Sequence, residues 1–174
     1  MKHTALVSAA LLLLGTFSAG QASAQTAKVE LRNAQGELLG PATLTQEVDG
    51  VTISVQVSKL PPGFHGFHVH AVGKCEPPGF TSAGGHFNPA GHKHPAHAGD
   101  LPNLLVGAGS ASMTVKTDRF KIADLFDADG SAVIIHANPD NHANIPDRYR
   151  PAPDDSTLAT GDAGGRLACG VITK

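Results

Sequence analysis

Residues 51–60, VTISVQVSKL, alternate polar and apolar side chains over most of their length, between Asp49-Gly50 and Pro61-Pro62-Gly63. A period of two marks a strand with one buried face and one wet face. Asp-Gly just before it signals a hairpin. The same grammar recurs along the chain. Strand-like runs are expected at 28–32, 43–48, 64–72, 110–116, 119–125, 132–136 and 166–173, with turn residues such as Gly36 and Asp129-Gly130 between them. Gly and Pro are abundant, at 20 and 12 residues, and Trp is absent. There is no heptad, no repeat and no long helical period. This pattern fits an antiparallel β-sandwich or barrel. Two stretches, 73–103 and 137–163, lack apolar periodicity, and loops of that length in a compact domain are commonly functional or disordered.

The first two dozen residues stand apart. Lys2, the apolar run at 5–14 and Ala22-Ser23-Ala24 have the layout of a secretory signal peptide, with an apolar core too short to span a bilayer. The expected organisation is therefore a cleaved leader at 1–24 and one domain at 25–174. The protein is expected to be exported, to a periplasm or beyond the cell. Losing Lys2 would take the formal net charge from −2 to −3. A mildly acidic chain argues against nucleic-acid and anionic-membrane partners. Cys75 and Cys169 are the two cysteines. In an oxidising compartment their default state is a disulfide.

Seven of the ten histidines fall between 65 and 97. His68 and His70 sit two apart on a strand, so both imidazoles leave one face. With His86, and with His136 at the end of the apolar run AVIIH, they supply four nitrogens. An all-imidazole set suits Cu(II). The segment HKHPAHAGD offers His92, His94, His97 and Asp100, and three imidazoles with one carboxylate make a tetrahedral zinc set. If His86 also serves zinc, it must do so through its second ring nitrogen, as a bridge.

The motifs GFHVH (66–70), GGHFNP (84–89), HAGDLP (97–102), IIH (134–136) and GDAGGRLACGVI (161–172) occur in this order. On them the chain resembles the copper/zinc superoxide dismutases, specifically exported bacterial members. The resemblance implies a Greek-key β-sandwich or barrel with two long functional loops. It implies a copper ion held by His68, His70, His86 and His136. It implies a zinc ion held by His86, His94, His97 and Asp100, with His92 an alternative to His94. It matches Cys75 and Cys169 to the family disulfide and Arg166 to the arginine beside copper. Asp140 falls where the family has a carboxylate joining the outer nitrogens of His68 and His94. The stretch between His94 and His97 is shorter than in most relatives. His65 is expected to make structural hydrogen bonds, and His142 to be a solvated loop residue.

The implied reaction is disproportionation of superoxide to oxygen and hydrogen peroxide. Arg166 would attract the anion, and His86 would deliver a proton as well as bridge the metals. Arg148 and Arg150, with Asp147, Asp154 and Asp155, are expected to shape the field of the second loop. A non-catalytic periplasmic copper/zinc-binding protein on the same fold is the alternative. The full copper set and Arg166 weigh against it. The resemblance leaves a homodimer open.

Overall fold

In the computed structural model, which describes residues 25–146 and 152–174, the alternating runs are strands with one buried face. The expected leader at 1–24 lies outside the described residues, as do Asp147, Arg148 and Arg150. Strand β1 (Thr26–Asn33) buries Ala27, Val29 and Leu31 and turns Lys28, Glu30 and Arg32 to solvent. Strand β2 (Leu38–Glu47) pairs antiparallel with β1 and with β3 (Gly50–Ser58), across the expected Asp49-Gly50 turn. Then follow β4 (Gly63–His65), β5 (Phe67–His70), β6 (Leu104–Val106), β7 (Ser110–Thr117), β8 (Ala132–His136) and β9 (Arg166–Thr173).

Seven strands form one curled sheet in the order β5-β8-β9-β1-β2-β3-β7, and β4 pairs with β6 in a second, two-stranded sheet. The small pair joins the edges of the large one. β4 runs directly into edge strand β5, and β6 turns into edge strand β7 through the Gly107–Ser110 bridge. The sheet thus closes on itself, which is how antiparallel proteins remove exposed edges. The main core lies inside, from Leu31, Leu44 and Ile53 to Phe67, Val133 and Ile135.

Strands β5 and β8 are buried on both faces. Their inner side chains, Phe67, Val69, Val133 and Ile135, join the main core. Outside, Ala132 and Ile134 pack with Phe80, Ala83 and Cys169 in a second cluster, beneath the first long loop. Cys75 and Cys169 are disulfide-bonded, with Cα atoms 5.6 Å apart, and this bond pins that loop to β9.

Three expectations change. The run 64–72 is two strands, separated at Gly66, and they belong to different sheets. Gly66 donates to the Asn138 carbonyl and accepts from His136 N–H, both at 2.8 Å, so the step between sheets is tied to the second loop. Residues 119–125 do not form a strand. Ile122–Leu125 is a 3-10 turn that buries Ile122 and Leu125, three apart, and Asp124 caps it by accepting from Lys121 N–H at 2.8 Å. Strand β6 falls in a stretch with no expected element. Its three residues are too few to carry a period.

Candidate metal centre

Strand β5 carries His68 and His70 outward onto the face that the first loop covers. The loop returns to that strand as two arms. Val69 accepts from Phe87 N–H at 2.8 Å and donates to the Gly99 carbonyl at 2.9 Å, while Gly99 N–H donates to the Phe87 carbonyl at 2.8 Å. The arms therefore reach β5 in register, with His86 bridged to His70 and Asp100 to His68. This demands close backbone contact at residue 99, where a Cβ would collide with the Val69 carbonyl oxygen.

His68, His70, His86 and His136 converge there, all buried, with one donor atom from each within 4.8 Å of the others. Their outer nitrogens are occupied. His68 Nε2 donates to Asp140 Oδ2 at 2.7 Å, His70 Nδ1 to the Gly84 carbonyl at 2.9 Å, and His136 Nδ1 to the Gly164 carbonyl at 3.3 Å. The inner nitrogens are therefore unprotonated. His68 Nδ1 is buried with no hydrogen-bond partner, and His70 Nε2 faces His136 Nε2 at 3.3 Å, lone pair to lone pair. Buried acceptors that face one another need a cation between them.

His86, His94, His97 and Asp100 form a second buried set. His86 Nδ1 lies 2.7 Å from Asp100 Oδ1 and 3.3 Å from His97 Nδ1. His94 Nε2 donates to Asp140 Oδ1 at 2.8 Å. His94 Nδ1 is 3.0 Å from Asp100 Oδ2 but lacks hydrogen-bond alignment with it, as expected of two donors that share a third centre. His86 thus belongs to both sets, Nδ1 toward Asp100 and its ring 4.1 Å, centre to centre, from that of His68. His92 stays outside on the exposed surface, where the Asn88 side chain holds its backbone. The structure brings His94 into the set, and His92 is not part of it.

Asp140 spans both sets, one oxygen on His68 and the other on His94. Gly161, at φ +59, lies so close that a Cβ would collide with Asp140 Oδ1 and come within 2.6 Å of His94 Nε2. Gly161 opens the motif GDAGGRLACGVI, but the sequence pattern does not show that it packs on Asp140. His142 is half exposed, with its ring parallel to that of His94 and 6.4 Å away, closer to the site than a merely solvated residue. His65 spans the carbonyls of Pro61 and His136, at 2.9 and 2.8 Å, in the structural role expected of it. Arg166 lies opposite His136 in the β8–β9 register. Its guanidinium donates to the Phe80 and Gly84 carbonyls at 2.5 and 2.6 Å, and Gly84 is also the acceptor for His70. One carbonyl thus fixes the arginine relative to the histidine cluster.

Residues 38–172 match the family model of copper/zinc superoxide dismutase (SODC). The chain belongs to the copper/zinc superoxide dismutase family. It is 48% identical over 164 residues to the copper/zinc superoxide dismutases of Mycobacterium bovis and Mycobacterium tuberculosis, covering 84% of this chain and 63% of theirs. It therefore spans a little under two thirds of their length. It is 37% identical over 185 residues to copper/zinc superoxide dismutase 2 of Aquifex aeolicus, covering 99% of each. Among solved structures, the copper/zinc superoxide dismutase of Brucella abortus aligns with a TM-score of 0.66 at 32% identity, over 85% of this chain and 99% of that one. A superoxide-dismutase-like protein of Bacillus subtilis aligns at 0.68 with 35% identity, over 83% and 96%. The donor chemistry agrees with the family's two metals: four imidazoles for copper, three imidazoles and a carboxylate for zinc.

In the metal-free form of this family member, the same groups set a pH optimum for stability. Burial drives His68 down to about 4 and His136 to about 3, and it holds His70 well below its ordinary value. Burial also opposes charge on His94, but Asp100 and Asp140 outweigh it and raise that ring to about 9. A lowered histidine takes up its proton more readily when unfolded, so its stabilising contribution is lost as pH falls from 6.5 through the folded value. His94 has the opposite sign: its contribution is complete below 6.5 and lost as pH rises through about 9. Thermal unfolding of the metal-free protein should therefore peak near pH 6.5, with the steeper decline on the acid side, where several rings act together. A melting temperature that does not fall between pH 6.5 and 9 would sink the assignment to His94.

Proposed function

We propose that the protein disproportionates superoxide, so that one anion leaves as oxygen and a second leaves, with two protons, as hydrogen peroxide. The observation that carries this reading is the pair of buried donor sets that share His86, with Arg166 anchored beside one of them. Copper held by His68, His70, His86 and His136 would supply one-electron redox chemistry, and zinc held by His86, His94, His97 and Asp100 a fixed positive charge on the far side of the shared ring. The protein's own groups bind, orient and move the proton. Burial lowers the Arg166 pKa from its ordinary value, yet a guanidinium stays charged at any working pH, so it can receive a small anion. The two carbonyls that hold it keep its charge close to His70 and His136. His86, fixed through Nδ1 against Asp100 and His97, can hold a proton on Nε2 and donate it to the departing peroxide. Asp140, bound to both His68 and His94, orients one ring of each set.

The disulfide supports an exported, periplasmic setting for this chemistry. The test is superoxide consumption by protein loaded with copper and zinc, compared with His136→Ala. Loss of a partner that merely orients a ligand costs about 10–100-fold. Loss of a ligand should exceed that, so activity should fall by more than about 100-fold. Loaded protein no faster than free copper would defeat the reading.

A further inference from the structure

Arg119 belongs to neither donor set, and no motif in the sequence points to it. It follows β7 and precedes the 3-10 turn at Ile122–Leu125. A single nitrogen of its guanidinium, Nη1, lies 3.1 Å from the Pro95 carbonyl, 3.2 Å from that of His97 and 3.4 Å from that of Asp100. All three oxygens come from one short span, and two belong to members of the zinc set. Carbonyl dipoles turned toward a common point repel one another, and a cation placed at that point reverses the sign of the interaction.

Neighbouring contacts make this a clamp rather than an isolated surface bond. Phe120, next in the chain, is buried and meets Phe87 edge to face, with ring centres 6.1 Å apart at 83°. Phe87 follows the shared His86. The dipeptide Arg119-Phe120 therefore touches both arms of the loop, the His86 arm through an aromatic contact and the His97–Asp100 arm through the guanidinium. Between His94 and His97 there are only Pro95 and Ala96, so the loop has little chain of its own with which to fold around a metal. Its turns are held by Ala96 N–H on the Lys93 carbonyl and His97 N–H on Asp100 Oδ2, both at 2.9 Å, and the Arg119 contacts add a brace from outside on that same segment.

We propose that Arg119 is a positioning residue for the zinc set, gathering the carbonyls of Pro95, His97 and Asp100 so that the His97 ring and the Asp100 carboxylate face His86. The inference rests on the reading that His86, His94, His97 and Asp100 hold zinc.

The test compares wild type, Arg119→Met and Arg119→Lys. Zinc affinity is measured by competition with a chromophoric chelator, site geometry by the visible spectrum of cobalt(II) in place of zinc, and fold integrity by melting of the metal-free protein. Arg119→Met keeps most of the aliphatic stem and should lose zinc affinity by about 10–100-fold, the range for partners that orient metal ligands. Its cobalt spectrum should change while its copper(II) spectrum and metal-free melting stay near wild type. Arg119→Lys should recover part of the affinity, because one cationic nitrogen makes all three contacts. Wild-type zinc affinity in Arg119→Met, loss only in proportion to a lower metal-free melting temperature, or no recovery in Arg119→Lys would each overturn the proposal. If the wild type itself takes up no zinc, the assignment of the zinc set fails and this inference with it. If the wild type takes up zinc and Arg119→Met does so equally well, the inference alone fails.

Discussion

Removing the Cys75–Cys169 disulfide, as the double variant Cys75→Ala/Cys169→Ala, is expected to cost about 4–5 kcal/mol in urea unfolding of the metal-free protein. That figure follows from the chain entropy released when a loop of this length is opened in the unfolded state, and native-state strain would reduce it. The bond joins residues separated by 94 positions, which places it near the long end of such loops. In the folded state it also ties the start of the first long loop to β9. Phe80 and Ala83, on that loop, pack against Ala132, Ile134 and Cys169 in a cluster separate from the main core. A small satellite cluster has few apolar contacts with which to hold a loop by itself. The same segment presents the Phe80 and Gly84 carbonyls to Arg166. The variant should therefore bind copper through the four histidines yet show a looser anion site, with activity falling more than copper affinity. A stability loss under about 1 kcal/mol would contradict the loop-entropy account, and activity falling no more than copper affinity would mean that the satellite cluster holds the loop unaided.

The sequence made the frame of this site legible but not its registration. Strand β8 is a continuous apolar run, as expected where both faces are buried, and its bounds coincide with the expected 132–136. Strand β9 likewise coincides with 166–173. The donors could be named because histidine and aspartate carry recognisable metal chemistry; strand spacing and donor type grouped the copper set, while the choice of zinc ligands came from the family resemblance. How a loop without periodicity returns to β5 could not be read. That depends on backbone bonds between Val69, Phe87 and Gly99, which leave no trace in side-chain pattern. The resemblance places His94 in the zinc set with His92 as the alternative, and the burial of His94 beside Asp100 and Asp140 decides between them. The stretch after His94 is short, and Arg119, the residue that braces it, lies more than twenty positions away and acts through backbone carbonyls, so its support is not legible in the sequence. The expected strand at 119–125 failed for a local reason. Ile122 and Leu125 are three apart, which is the period of a 3-10 turn.

Asp140 is the residue where one substitution should reach both metal sets without removing a ligand from either. Its carboxylate accepts from His68 at one oxygen and from His94 at the other, and its side chain is buried. Asp140→Leu leaves two buried imidazole N–H groups without acceptors, at about 1–3 kcal/mol each. It also frees both rings to rotate or to change tautomer, so that His68 Nδ1 and His94 Nδ1 are no longer held toward their sets. Zinc affinity should fall by about 10–100-fold, the usual consequence of losing a partner that orients a ligand. Copper affinity should fall less, because His70 and His136 keep their own carbonyl partners. Asp140→Asn separates the two arms. The amide retains one oxygen and replaces the other with an NH2 group, so it can accept from one ring and must oppose the N–H of the second. The amide oxygen should settle at the Oδ1 position, where it keeps both the His94 N–H and the His142 backbone N–H, leaving the equally buried His68 ring opposed by the NH2 group. Asp140→Asn should then approach Asp140→Leu in copper affinity and in its copper(II) spectrum while remaining near wild type in zinc affinity. Equal losses at both metals in Asp140→Asn, measured by parallel chelator competition, would show that the carboxylate acts as a single charge on the whole cluster rather than as two separate acceptors.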